Sequence, residues 1–182
     1  NTFWLSTGQI VSRLLRALII IYAARVLGAA SYGAFSYTLS LAGLFAIFSD
    51  IGLTSLLTRE ASKQSPQYQG YLATSLFLKA LLVALSMALI IIVAPIFTTI
   101  PEARLLLPLA AFLLAFDSLR DFTFALTRAR QHMQLEAGIT IFTNCVITVL
   151  AFAALFVAPT SLSLMIAYTI GSGIGLLSAA IF

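Results

Sequence analysis

The sequence predicts an all-α integral membrane protein, a bundle of six helices, and three observations lead to that class. Of the 182 residues, 61% are hydrophobic and only 9% charged, against roughly 50% and 25% in soluble domains. The apolar residues gather into six runs, each long enough to supply the ~20 residues that a helix needs to cross a bilayer. The polar stretches between those runs are short, so no extramembrane domain of useful size fits. At a mean hydropathy of +1.06, the chain has too little polar surface to cover a water-soluble particle.

The spans are expected at 6–24, 32–57, 71–97, 103–127, 135–157 and 161–182, within one domain covering 1–182. In the first, Arg13 and Arg16 share a face with Gln9 and precede the apolar run from Ala17 to Ala24. That order imitates a signal peptide, but five further spans follow it. Gly28 and Gly33 bracket the connection from Arg25 to Ser31, where glycine can take the left-handed conformation that ends a helix. The second span stops at the polar stretch from Thr58 to Gly70. Pro95, Pro101 and Pro159 fall at expected helix ends, and Pro108 is placed to bend the fourth span. In the sixth, the run Gly171, Ser172, Gly173, Ile174, Gly175 follows no strand. Its GxxxG spacing therefore reads as close helix packing, not as a phosphate loop.

Short connections make sequential helices antiparallel neighbours. The even-numbered connections hold Arg59, Lys63, Arg128 and Arg130, whereas the odd-numbered ones hold Arg25, with Arg104 just beyond. The positive-inside rule places the even connections, and with them both ends of the chain, in the cytoplasm. An opening Asn and an apolar run continuing to Phe182 are expected of a piece of a longer chain.

The net charge of +4 does not point to nucleic acid, because the basic residues are few and scattered among apolar runs. Cys145 stands alone, so neither a disulfide nor a cysteine metal cluster is expected. His132, beside Arg130 in a connection, reads as a solvated loop residue. No cofactor, metal or catalytic constellation is expected, and the chain reads as something other than an enzyme.

Ionisable residues inside the spans carry the functional argument, because each costs ~2.5–3.5 kcal/mol at mid-bilayer. Arg13 lies about 10 Å past Ser6 and Asp50 about 10 Å before Leu57, while Lys79, Asp117, Arg120 and Asp121 lie roughly 9–15 Å deep. With Arg16, four cations and three anions from four helices share one slab in the cytoplasmic half. Bland readings stand beside this one. Arg13, Arg16 and Lys79 have stems long enough to snorkel, and Asp117, Arg120 and Asp121 can neutralise one another. Asp50 is too short to snorkel and must face water or a cation, with Arg13 or Arg16 as the expected partner. Apart from Glu136 at the start of the fifth, the last two helices hold no charge in their spans, only Asn144, hydroxyls and glycines, and read as packing or lipid-facing helices. The slab as a whole describes a slightly positive cavity open to the cytoplasm, suited to a pyrophosphate that guanidinium groups bind bidentately.

Two motifs carry a family resemblance. The stretch AARVLGAASYGAFSYTLSL at 23–41 is similar to the A-R-x-L-G-x-x-x-Y-G-x-F signature of oligosaccharide flippases, and DIGLTSLLTRE at 50–60 is similar to that family's D-x-G-L plus R-E segment. Together with N-T-F-W-L at the start, the chain resembles Wzx-like members of the multidrug, oligosaccharidyl-lipid and polysaccharide exporter superfamily over about its first 60 residues. The matched positions are Arg25, Gly28, Tyr32, Gly33, Asp50, Gly52, Arg59 and Glu60. The resemblance implies the amino-terminal lobe of a two-lobe transporter in the inner membrane of a prokaryote. Such a transporter moves polyprenyl-pyrophosphate-linked oligosaccharide to the outer leaflet, with the second lobe, membrane lipid, a polymerase and other polysaccharide-assembly proteins as partners. Arg25 and the Gly28–Gly33 turn would then cap a helix end, and Arg59 with Glu60 would form a cytoplasmic interfacial pair.

Three other readings compete. A cation-coupled multidrug exporter would use Asp50 or Asp117 as its proton or sodium site. A membrane enzyme acting on polyprenyl diphosphate would need Asp117 and Asp121 to hold Mg²⁺, although an arginine lies between them. An inert scaffold would bury the same charges without using them.

Overall fold

A computed structural model describes residues 2–50, 52, 53, 55, 56, 68–129 and 133–181. Arg59, Glu60, Lys63, Arg130 and His132, which entered the sequence argument, lie outside the described residues. Among the described residues, five long helices make up the fold: α1 (Thr2–Ser49), α2 (Tyr68–Ala88, continued by Leu89–Val93 and Ala94–Phe97), α3 (Pro101–Ala129), α4 (Met133–Val157) and α5 (Ser161–Ile181). Among the described residues there is no strand.

Five helices rather than six were formed because the expected connection from Arg25 to Ser31 is not a loop. Residues 25–31 stay helical except at Gly28, whose φ of 75° and ψ of 173° divide α1 into two arms. Gly33, expected to share the turn, keeps an ordinary negative φ. Contacts show that one residue suffices to reverse the chain. The first arm runs parallel to α4, with Gly8 against Ala137, Arg16 against Asn144 and Tyr22 against Phe152. The second arm runs parallel to α3 and α5, with Phe35 against Tyr168 and Ser49 against Ser118. Since α4 and α5 are antiparallel, pairing Ile147 with Gly171 and Thr143 with Gly175, the two arms point in opposite directions.

Length and apolarity suit three helices, 72–97, 134–157 and 161–181, for crossing a membrane, where six spans were expected. The other two, α1 and α3, are the helices that carry most of the charges. Large apolar side chains cover the outside of the bundle, with Phe77 and Leu105 each 73% exposed and Phe156 86%. Such a surface is unfavourable in water and suits lipid.

Small residues let the helices approach closely. Ala23, Ala94, Ala110, Ala111 and Ala151 are fully buried around Leu106, Leu107, Leu164 and Met165. A Cβ on Gly171 would lie 2.5 Å from Ile147 Cγ1, and one on Gly175 would lie 2.5 Å from Thr143 Oγ1. The GxxxG pair is therefore where α5 meets α4 backbone to backbone.

The proline in α2 explains its irregular end. Pro95 has no N–H to donate and its ring would strike the carbonyl four residues earlier. The helix widens to π geometry over Leu89–Val93, where the Ala94 N–H donates to Leu89 O, so the strain is taken up by one wide turn. Pro101 opens α3, Pro159 separates α4 from α5, and Pro108 sits inside α3.

Gly28→Val should lower the stability of the purified protein in detergent by about 1–3 kcal/mol, the usual cost of forcing a side chain into such a conformation. Gly33→Ala, at a helical position with open space around it, serves as the neutral control. Equal melting midpoints for the two variants would show that Gly28 does not set the reversal.

Candidate functional site

The site is built where α1 ends. The last carbonyls of a helix have no intrahelical donor and carry the negative end of its dipole. Lys79 of α2 fills that need: only 1% exposed, it donates from Nζ to Ser49 O at 3.0 Å and lies 3.8 Å from Asp50 Oδ2. Ser118 of α3 donates to Ser49 Oγ at 2.9 Å, and Ser49 in turn donates to Ala46 O at 2.7 Å. Three helices are thus joined at one polar point. Gly52, with φ of 73°, then turns the chain so that Leu53 buries against Phe122 and Ala125. Those contacts give the D-x-G-L segment a physical role in ending α1 and fastening it to α3.

A second polar centre lies on α3. Asp117 Oδ1 accepts from Arg120 Nη2 at 3.0 Å and from Ser172 Oγ of α5 at 2.5 Å. The Arg120 guanidinium sits 5.8 Å from the Phe124 ring centre, a cation–π distance, and its Nε is buried without a hydrogen-bond partner among the described residues. At the cytoplasmic end expected for α3, Arg128 makes a bidentate pair with Glu136 of α4, at 2.8 Å from Nε to Oε2 and 2.5 Å from Nη2 to Oε1. Hydrogen bonding to Glu136 raises the Arg128 pKa above its already high ordinary value. This pair closes the α3–α4 turn.

Between the second arm of α1, α2 and α3 lies a cavity of about 280 Å³ with Ser49, Asp50, Lys79, Asp117, Ser118 and Asp121 on its wall. A smaller one of about 150 Å³ is bordered by Gln9, Arg120, Asp121, Arg128 and Glu136. Asp121 lines both, and among the described residues it makes no ion pair. No group of three or more His, Cys, Asp or Glu among the described residues is placed to hold a metal ion.

The slab expected from the sequence therefore separates into parts. Asp50, Lys79, Asp117 and Asp121 do share a wall, which carries three carboxyl groups and one ammonium and none of the expected arginines. Arg120 faces the neighbouring cavity, and Arg13 and Arg16 border neither. Among the described residues, the counter-ion of Asp50 is Lys79 rather than Arg13 or Arg16, because Lys79 does not snorkel but lies buried at the end of α1. Arg13 and Arg16 are exposed on the first arm, where Arg16 Nε donates to Asn144 Oδ1 at 3.0 Å.

The last two helices are more than packing surfaces. Glu136, Asn144 and Ser172 each hold a charged residue of another helix. Sequence reasoning passed over these and the Ser49–Ser118 pair, since a lone hydroxyl or amide in an apolar helix gives no signal until its partner is known. Of the motif residues, Arg25 is exposed, and the half-buried Tyr32 ring lies 6.3 Å from that of Phe35.

An apolar helical bundle with lipid-like outer faces and charges paired inside it defines an integral membrane protein. A family model described as polysaccharide biosynthesis protein matches residues 1–182. The chain belongs to the polysaccharide biosynthesis protein family, whose members are transporter-like and generally not enzymes. No curated protein and no solved structure matches it.

Lys79→Met should destabilise the protein by about 1.5–3 kcal/mol, the usual worth of a hydrogen bond from a charged group, since the Asp50 carboxylate left behind is about a third exposed. Adding Asp50→Asn should recover part of that loss, as read by thermal denaturation in detergent. A single variant that melts like the parent would show that the lysine does not hold the three helices together.

Proposed function

We propose that the protein translocates polyprenyl-pyrophosphate-linked oligosaccharide from the cytoplasmic to the outer leaflet of a prokaryotic inner membrane during surface polysaccharide assembly. Family membership supports a transport role, and one observation favours an anionic cargo. Arg16 lies about 15 Å along the first arm from Ser6, exposed, with a neutral amide rather than a carboxylate on its Nε. An arginine with no carboxylate partner among the described residues is costly at that depth unless an anion or water meets it. Guanidinium is suited to this work, since it stays protonated in low dielectric and binds phosphate oxygens in pairs.

In this reading the lobe rocks against a second lobe of the longer protein by alternating access, with both ends of this chain in the cytoplasm. The glycan head passes through the wet interior while the prenyl tail stays in lipid. Arg13, three residues before Arg16 and also exposed, adds a second cation to the same arm. Asp50, Lys79 and Asp117 hold the helices in register around the aspartate-lined cavity. No covalent chemistry is required.

A second reading keeps the fold and changes the cargo, and the aspartate-lined cavity is what favours it. A cation-coupled exporter would load a proton or sodium ion at Asp50 or Asp117.

Arg16→Glu should abolish transbilayer movement of lipid-linked oligosaccharide in a flippase-deficient strain while membrane protein level stays normal, and Arg16→Lys should retain part of it. Full complementation by Arg16→Glu, together with efflux of a cationic dye that Asp117→Asn abolishes, would favour the exporter instead.

A further inference from the structure

Asn144 occupies a position where a polar side chain is unexpected. It lies in the middle of α4, only 4% exposed, in a helix otherwise rich in apolar residues. Burying an amide there is unfavourable unless both of its ends are bonded. Both are: Nδ2 donates to Thr140 O at 2.7 Å, and Oδ1 accepts from Arg16 Nε at 3.0 Å. A carbonyl oxygen can only accept, so the Thr140 contact requires the amide nitrogen on its side. The amide oxygen is thereby turned toward Arg16, and its orientation follows from the bonding alone.

We propose that Asn144 is a positioning residue that aims the Arg16 guanidinium at the pyrophosphate of the transported lipid. The inference rests on the reading of Arg16 given above and deepens it. A guanidinium can meet a phosphate side-on, through Nε and one Nη, or end-on, through both Nη groups. With Nε held by Asn144, the side-on approach is closed and the end-on pair is the one presented. A carboxylate at position 144 would also orient the arginine, but it would neutralise the charge that an anion needs. An amide supplies direction without a counter-charge.

The ligand chemistry is therefore a pyrophosphate met by two Nη groups, whether it arrives on a lipid or free.

Binding of fluorescent farnesyl pyrophosphate to the purified full-length protein tests the proposal, with inorganic pyrophosphate as competitor. Asn144→Ala should weaken binding about tenfold, a loss of ~1.4 kcal/mol, and Asn144→Asp should weaken it further. Asn144→Gln, which keeps an acceptor, should recover part of the loss. In an Arg16→Lys background, which has no Nε to hold, Asn144→Ala should change affinity by less than about twofold, since two residues acting through one contact are not additive. Equal losses in both backgrounds would mean that Asn144 supports the helix and not the arginine, and would overturn the positioning role. Unchanged affinity in Asn144→Ala, with Arg16→Ala weakened, would overturn it too and leave the transport reading intact. If Arg16→Ala itself binds normally, the transport reading fails first. Inorganic pyrophosphate competing at equal concentration assigns the site to the free anion; failure to compete assigns it to the lipid-linked one.

Discussion

A charge placed among apolar helices needs a partner, and the arrangement of this protein follows from how each charge finds one. Lys79 is the most demanding case. Its ammonium is almost wholly buried, so its stability depends on the Ser49 carbonyl and the Asp50 carboxylate being held in place. They are held because α1 stops there and leaves its carbonyls open. The same lysine thus ends one helix and attaches a second, while the Ser49 side chain meets a third through Ser118. A helix terminus that would be a liability in lipid becomes the point where the bundle is joined.

Backbone devices make that joint reachable. Gly28 reverses α1 within a single residue, which brings its second arm back beside α3. Gly52 turns the chain after Asp50 so that Leu53 reaches its apolar pocket. Gly171 and Gly175 remove the side chains that would keep α5 from α4, and this close approach carries Ser172 to Asp117. In a bilayer no hydrophobic force drives helix against helix, so small residues and polar contacts are what hold such bundles together.

The charges divide into two kinds once their partners are known. Asp50, Asp117, Lys79, Arg120, Arg128 and Glu136 are engaged in ion pairs within the bundle, and their contribution is to geometry. Arg16 has a neutral amide on its Nε, and among the described residues no carboxylate pairs with it.

Much of this could be read from residue order. The apolar runs required a helical membrane protein, the prolines and glycines marked most of the breaks, and the resemblance of residues 23–41 and 50–60 pointed to the family that the whole chain matches. The gathering of Asp50, Lys79, Asp117 and Asp121 at one level was legible too, because rise per residue converts position into depth. Azimuth was not legible. Depth cannot say around which side of a helix a charge points, so Arg13 or Arg16 was the expected partner of Asp50, and Lys79 was not. Nor could residue order show that a single glycine would replace a loop. The tertiary structure decided both, because pairing depends on which helix faces lie against each other, and that is set by packing between segments 30 to 128 residues apart.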